Sequence, residues 1–181
     1  MALTHAILAI LRNNALSGYD LWKNFSKCTN CYWQASQQQV YRELHKLESQ
    51  SAITSELVPQ VNRPNKKLYR ITSIGKEILI TWVAKPSKPM AVREELLVKV
   101  LAAHLVSPDV IIQELKRRRQ IHFKKLTACQ EMERKMLELP AMSIEEKCQH
   151  LTLRLGIRHE KEWIAWCEEA VSIFSSAIVF T

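Results

Sequence analysis

The 181-residue chain has only 3 Gly and 6 Pro, and no apolar run approaches the roughly 20 residues of a membrane-spanning helix. Few turn-forming residues argue against a β-rich protein and favour a mostly helical one. The first residues show neither the cationic start nor the small-residue cleavage site of a signal peptide. Five Cys without a secretion signal indicate reduced thiols. We therefore expect a cytoplasmic protein that does not associate with a membrane.

Positive charge is concentrated in the first half of the chain. The net charge is +8, and residues 1–89 contain 12 Lys and Arg against 5 Asp and Glu, whereas residues 90–181 contain 14 against 13. An evenly spread excess would say little, but a segregated one is typical of a protein that binds a polyanion. No strongly basic amphipathic segment accompanies it, so double-stranded DNA is a better candidate partner than a membrane surface.

A helix over residues 36–50 is predicted by Val40, Leu44 and Leu47, which lie at positions i, i+4 and i+7. The opposite face is rich in Gln and Arg, side chains that can form bidentate hydrogen bonds to base edges in the major groove. An amphipathic helix with an ordinary solvated face is the alternative interpretation. The polar residues on that face are Gln37, Gln38, Arg42, His45 and Lys46.

Two runs of β-forming residues, 53–58 and 66–71, follow this helix and flank a turn. Arg63 lies in the turn, and Lys66 and Lys67 follow it. A hairpin with cations near its tip, beside a helix that bears Gln and Arg, predicts a winged helix-turn-helix that contacts a duplex. We call this hairpin the wing.

Three further helices complete the predicted first domain. They are expected at about residues 3–12, 18–25 and 74–83. The second begins after Ser17, an N-cap that has Asp20 three residues later, as in a capping box. Three helices, a hairpin and a fourth helix in this order are the plan of a winged-helix domain.

The segment 84–89 contains two prolines and marks the one credible domain boundary. Because proline disfavours helix at the residue before it, continuous helix across this segment is not expected. The predicted organisation is a winged helix-turn-helix domain at 1–84, a linker at 85–92 and an all-helical dimerisation domain at 93–181. The fold class is therefore mostly α, with a two-stranded wing.

The second domain is predicted to contain three helices, at 93–105, 108–138 and 144–174. Ser107 and a Ser143/Glu146 capping box mark the starts of the last two. Apolar residues spaced by three and four along the long helix form a heptad pattern. Helices this long would bury their faces in a symmetric homodimer, whose twofold axis suits a palindromic DNA site. The expected dimerisation residues are Ile112, Leu115, Leu126, Met136, Leu155, Trp163, Trp166 and Ile173.

Five short sequence motifs occur in order along residues 7–79: ILAIL, LSGYDL, YW, QQVYRELHKLE and KLYRITSIGKEIL. Their order and spacing resemble the PadR family of transcriptional regulators. The second half is similar to the family's dimerising helices of the virulence-activator type, through REELLVKVLAAHLVSPDVIIQEL and EKEWIAWCEEAVSIF. The chain departs from the family at Ala35, which replaces a usual proline, and at Ser51-Ala52, where a glycine is usual.

The resemblance implies a homodimer that binds an inverted repeat near a promoter, as a repressor that a small-molecule effector tunes in some members. Two sets of DNA-binding residues follow by position. The groove-facing set is Ser36, Gln37, Gln38, Tyr41 and Arg42, with Lys46 beside them. The wing set, expected on the backbone or in the minor groove, is Arg63, Asn65, Lys66 and Lys67.

Cys28 and Cys31 form a single C-x-x-C pair. A structural zinc site normally needs four ligands and the sequence offers no second pair, so incidental thiols are the leading interpretation and no cofactor is expected. A thiol- or metal-responsive sensor is one alternative function. A winged-helix protein-interaction module that does not read DNA is another, although the charge asymmetry argues against it.

His122 and His159 fall on apolar stripes and are expected in the core or at an interface. Trp163 and Trp166 are expected in the core, with an effector pocket as the alternative. The sequence shows no nucleophile with an arranged base, no glycine-rich phosphate loop and no paired-carboxylate site. An enzyme is therefore not expected.

Overall fold

The computed structural model of the chain describes residues 2–27, 35–59, 65–89, 93–138 and 140–177. The chain forms two compact units, Met1–Pro89 and Met90–Thr181. The elements of the first are α1 (Ala2–Leu11), β1 (Leu16–Ser17), α2 (Gly18–Lys27), α3 (Gln37–Ser49), β2 (Ile53–Val58), β3 (Lys66–Ile71) and α4 (Ser73–Val83). Those of the second are α5 (Glu95–Leu101), a 3₁₀ turn (Ala103–Leu105), α6 (Pro108–Leu137) and α7 (Ile144–Ala177). The predicted fold class, mostly α with a winged helix-turn-helix, is confirmed.

The start of α3 is fixed by a capping box. The backbone N–H of Gln39 donates to Ser36 Oγ (3.2 Å), and the backbone N–H of Ser36 donates to Gln39 Oε1 (2.8 Å). A cap of this kind contributes about 1 kcal/mol to helix stability. The predicted apolar stripe of α3 is fully buried.

The predicted cap of α2 is also present. Ser17 Oγ donates to Asp20 Oδ2 (2.8 Å) and accepts from the backbone N–H of Asp20 (3.1 Å). Leu16 and Ser17 additionally pair with β3, opposite Tyr69 and Leu68. This third strand was not predicted, because two residues are too few to show a β pattern.

The wing consists of β2 and β3, whose bounds are those predicted from the sequence. The strands are antiparallel, with Ile53 opposite Ile71 and Val58 opposite Lys66. With β1 they form a three-stranded sheet in the order β1-β3-β2. The turn that contains Arg63 lies outside the described residues.

The end of α3, the start of β2 and the start of α4 meet in one hydrogen-bonded junction. Ser51 has φ 55, the left-handed region in which glycine is most common, so the serine here adopts the conformation that a glycine would supply. The carbonyl of Ala52 then accepts from both the backbone N–H (3.1 Å) and Oγ (3.0 Å) of Thr72. Thr72 is also the N-cap of α4, where its Oγ accepts from the N–H of Gly75 (3.2 Å).

The core of the first unit lies among α1, α2, α3 and the inner face of the sheet. Burial of these apolar side chains is the main stabilising contribution to the unit. Its buried members are Ile7, Leu8, Leu11, Leu21, Phe25, Val40, Leu44, Leu47, Ala52, Ile53, Tyr69 and Ile71.

The single helix predicted over 93–105 is wrong. The α-helix ends at Leu101, and Ala102 adopts φ −95 and ψ 6 before the 3₁₀ turn begins. The tighter turn places Ala103 in the core of the second unit, beside Leu96. Periodicity could not reveal this break, because the residues around it are good helix formers.

The two long helices α6 and α7 pack along each other. α6 begins at Pro108 as predicted. The Ser143/Glu146 capping box is confirmed: the Ser143 N–H donates to Glu146 Oε2 (2.8 Å), and the Glu146 N–H donates to Ser143 Oγ (3.2 Å). In the described part of the chain, no helix is both long and apolar enough to cross a membrane.

Candidate nucleic-acid interface

The outer face of α3 carries the predicted base-reading side chains. Gln37, Gln38, Arg42 and Lys46 are all exposed, whereas Tyr41 is half-buried. These side chains project opposite the buried stripe, so a duplex could reach them without any rearrangement of the core. Lys46 lies 3.5 Å from Glu43, one turn earlier on the same helix.

Ser36 has a second role, in the cap of α3, that was not predicted. Its side chain is exposed, but its Oγ and backbone N–H are both used in the cap of α3. The S-x-x-Q spacing of Ser36 and Gln39 is the capping-box pattern, so the signal was present in the sequence.

Tyr41 links α3 to the start of α2. A Cβ atom added at Gly18 would lie 2.6 Å from Cε1 and 2.8 Å from Cζ of the tyrosine ring. A side chain at position 18 would therefore force the Tyr41 ring to move away from the start of α2. The glycine of the LSGYDL motif leaves room for this ring.

The wing lysines are held by carboxylates from two other elements. Lys66 Nζ lies 2.8 Å from Asp20 Oδ2, on α2, and Lys67 Nζ lies 3.0 Å from Glu48 Oε2, on α3. The Lys67 Nζ also lies 5.2 Å from the centroid of the Tyr69 ring. Both ion pairs are partly exposed, so each contributes only about 0.2–1 kcal/mol to stability.

Serine hydroxyls hold the same carboxylates. Ser55 Oγ donates to Glu48 Oε1, and this bond and the Lys67 contact lower the pKa of the Glu48 carboxyl. The pKa of Asp20 is lowered by Lys66 and by Ser17. In turn, the hydrogen bond to Glu48 raises the pKa of Lys67. Both carboxyl groups are therefore charged at neutral pH.

One concave surface brings together residues of α3, the wing and the start of α2. Of the predicted DNA-binding residues, Tyr41, Asn65, Lys66 and Lys67 line it, while Arg63 lies outside the described residues. The contributions of Asp20 and Tyr19 were not predicted, because their proximity to the wing depends on tertiary packing. The lining residues are Ser17, Gly18, Tyr19, Asp20, Tyr41, His45, Asn65, Lys66, Lys67 and Tyr69.

The predicted dimerisation residues differ in exposure. Leu115 is fully buried inside the unit and Ile112 nearly so, whereas Leu155 and Ile173 are 59% and 61% exposed. The other four, Leu126, Met136, Trp163 and Trp166, are half-buried.

A buried polar cluster joins α6 to α7. His122 Nδ1 lies 2.5 Å from Glu160 Oε2, and the His122 ring stacks on Trp163 with centroids 4.9 Å apart. Trp163 Nε1 donates to His159 Nε2 (3.2 Å), and the ring meets Trp166 edge to face at 5.4 Å. His122 is thus a core residue as predicted, whereas the His159 side chain is 46% exposed.

Cys28 and Cys31, the candidate redox or metal pair, lie outside the described residues. Among the residues that the structure does describe, no group of three or more His, Cys, Asp or Glu side chains is arranged to hold a metal ion.

Two family profiles match the chain. Residues 7–80 match the transcriptional regulator PadR-like family, and residues 92–175 match the virulence activator alpha C-terminal family. A probable transcriptional regulator of Mycobacterium tuberculosis is 31% identical over 180 residues, which cover 93% of this chain and 95% of the relative. The negative transcriptional regulator PadR of Bacillus subtilis is 29% identical over 94% of this chain and 96% of its own length.

Solved structures of relatives share the fold over nearly the whole chain. The crystal structure of Bacillus subtilis PadR in complex with operator DNA matches with a TM-score of 0.83 and 27% identity, over 95% of this chain and 97% of that one. A structure of the same protein with p-coumaric acid matches with a TM-score of 0.76 and 26% identity, over 97% and 99%. The Vibrio cholerae virulence activator AphA matches with a TM-score of 0.75 and 30% identity, also over 97% and 99%.

Proposed function

This chain belongs to the PadR family of transcriptional regulators, and we propose that it is a homodimer that binds an inverted-repeat operator and represses transcription. The observation that carries this proposal is the surface formed by α3 and the wing. There, exposed Gln37, Gln38 and Arg42 lie on the helix, and Asn65, Lys66 and Lys67 lie on the neighbouring hairpin. Gln and Arg suit base edges, and the lysines suit phosphates.

Exposed apolar side chains in the second unit support the homodimer. Val98, Leu101 and Leu105 on α5 and the 3₁₀ turn are 66%, 80% and 73% exposed, and Leu155 and Ile173 on α7 are 59% and 61% exposed. Apolar exposure on this scale is typical of a protein-interaction surface. A second copy would cover it and would pair two α3 helices on a symmetric operator. Leu115 is buried inside the protomer, so it would contribute to the dimer only indirectly, by supporting the packing of α6.

Regulation by a small molecule is proposed from the relationship to Bacillus subtilis PadR, which has been crystallised with p-coumaric acid. The alternative pocket suggested for Trp163 and Trp166 is less well supported. Their rings pack against each other, and the Trp163 ring also stacks on His122, which favours a structural role.

An electrophoretic mobility shift with DNA from upstream of the chain's own gene tests the function. We expect a complex that resists scrambled competitor, has the mass of two protomers per duplex and weakens steeply with added salt. A reporter under the same upstream DNA should increase in expression when the gene is deleted. Absence of a complex at low salt would reject DNA binding and favour the protein-interaction alternative.

Arg42→Ala is expected to weaken operator binding by roughly 5- to 150-fold, the value of one good bidentate base contact. Binding to scrambled duplex should fall much less, so discrimination between sites is lost. Arg42→Lys is the matched control, since it keeps the charge but not the bidentate geometry. Quantitative titration of both duplexes measures the ratio; if Arg42→Lys discriminates as well as the wild type, base reading by Arg42 is wrong.

The double substitution Lys66→Ala/Lys67→Ala should instead weaken all duplexes about equally. It should also flatten the dependence of affinity on salt, because fewer counterions are released when fewer phosphates are contacted. Lys85→Ala/Lys88→Ala removes the same charge from the exposed segment after α4 and should change binding much less. Equal effects of the two double substitutions would show that only net charge matters.

A further inference from the structure

Acidic residues are scarce in the first unit, and most of them lie beside candidate DNA-binding lysines. Residues 1–89 contain five Asp and Glu. Three of these five pair with candidate DNA-binding lysines on α3 or the wing: Asp20 with Lys66, Glu43 with Lys46, and Glu48 with Lys67. A surface evolved only for maximal attraction to phosphates would not place its few carboxylates there.

The two carboxylates that face the wing are held in place independently of the lysines. Asp20 accepts from the Ser17 hydroxyl (2.8 Å) and completes the cap of α2, and Glu48 accepts from the Ser55 hydroxyl. They would therefore stay beside the wing when a lysine side chain moves away. The lysine side chains are 39% and 37% exposed at their ends of these pairs, so they can turn toward a phosphate without unfolding anything.

We propose that Asp20 and Glu48 are specificity-determining residues that restrain the wing lysines in the free protein. This inference rests on the proposed DNA-binding function and deepens it. A duplex phosphate must displace a carboxylate to gain each lysine, so the general attraction to phosphates is weakened. The base-edge contacts proposed for Gln37, Gln38 and Arg42 are not weakened in this way, so binding depends more on them.

The amide variants Asp20→Asn and Glu48→Gln remove the charge and keep an oxygen that can accept from the serine. Full-length protein is titrated into a labelled scrambled duplex of about 24 base pairs, long enough for two half-sites one helical turn apart. Each variant should bind about 2- to 5-fold more tightly than the wild type, as expected for loss of one competing surface ion pair. For the double variant, the slope of log affinity against log salt concentration should also be steeper by up to roughly two, one for each released lysine.

Two controls separate this mechanism from a change in net charge. Glu77→Gln removes one negative charge from the exposed face of α4 and should change affinity by much less than Glu48→Gln. In a Lys67→Met background, Glu48→Gln should have no effect, because the carboxylate acts through Lys67. Thermal melts of all variants identify any that fail to fold. If Glu48→Gln fails to fold, comparing the effect of Asp20→Asn with and without Lys66→Met gives the same test.

The outcomes are distinct. Tighter binding that disappears in the lysine-substituted background supports the restraint. If the wild type binds the duplex and the amide variants bind it equally or more weakly, the restraint is overturned while the DNA-binding function stands. The restraint is also overturned if Glu48→Gln tightens binding equally with and without Lys67. If the wild type binds no duplex at low salt, the proposed function fails and this inference fails with it.

Discussion

His122→Ala is expected to lower the free energy of unfolding of the second unit by about 3–5 kcal/mol at neutral pH, the usual cost of leaving one member of a buried pair alone. His122 and Glu160 are 5% and 1% exposed, and the imidazole provides the hydrogen bond that the carboxylate accepts. Alanine also removes the ring that stacks on Trp163. Chemical unfolding of the full-length protein at fixed protomer concentration, followed by circular dichroism, measures the loss.

The pH dependence of this loss separates charge from packing. Burial raises the pKa of Glu160, but the hydrogen bond and charge of His122 lower it. The resulting pKa lies below the usual 4.5. A depressed carboxyl pKa stabilises the fold above the ordinary value, and this stabilisation disappears as the pH falls through the folded value. Without His122, burial dominates and the pKa of Glu160 rises, so the variant should become more stable as the pH is lowered from about 7 toward 5.

The control replaces both partners. His122→Leu with Glu160→Leu leaves no buried charge, and it should recover most of the stability that His122→Ala loses. A loss that is the same at every pH and is not recovered in the double variant would show that the ring contributes by packing alone.

Gly75→Ala is expected to destabilise the first unit by about 3 kcal/mol, although alanine normally favours a helix over glycine by about 1 kcal/mol. A Cβ at position 75 would lie well inside contact distance of the Ala52 carbonyl oxygen and 2.8 Å from Ile71 Cγ1. That carbonyl already accepts from Thr72, so it cannot move away without opening the junction. A thermal melt should show the loss, and DNA binding should fall with it because the same junction positions α3 against the wing.

Two companion substitutions test this explanation. Lys76→Ala, at the next and exposed position of α4, should leave the melting temperature nearly unchanged. Ala52→Gly should not rescue Gly75→Ala, because the obstruction is a backbone oxygen and not the alanine methyl group. Increased stability of Gly75→Ala would mean that the junction can open at little cost.

Local patterns predicted the first unit well because its elements are bounded by side chains that act within a few residues. Ser17 and Asp20 mark the start of α2, and runs of β-forming residues set both wing strands. The predictions failed where the deciding contact is distant along the chain. β1 exists only because β3 lies beside it, and α5 ends early because Ala103 enters a core that α7 completes.

The same limit applies to the candidate interface. Amphipathic spacing identified the outer face of α3, and the exposure of Gln37, Gln38 and Arg42 follows from it. Spacing could not show that Glu48 and Lys67, 19 positions apart, form an ion pair, or that Asp20 reaches the wing. In α6, the heptad pattern identified an inward face but could not show which helix covers Leu115.

The cap of α3 divides the positions of this helix into two groups with different freedom to change. Ser36 and Gln39 close the first turn of the helix, and a substitution at either would remove a cap that contributes about 1 kcal/mol to helix stability. Gln37, Gln38 and Arg42 take no part in the cap, so they can change while the fold of the domain is preserved. Natural drift toward new promoters, or a library built to retarget this protein, would therefore vary the second group and keep the first.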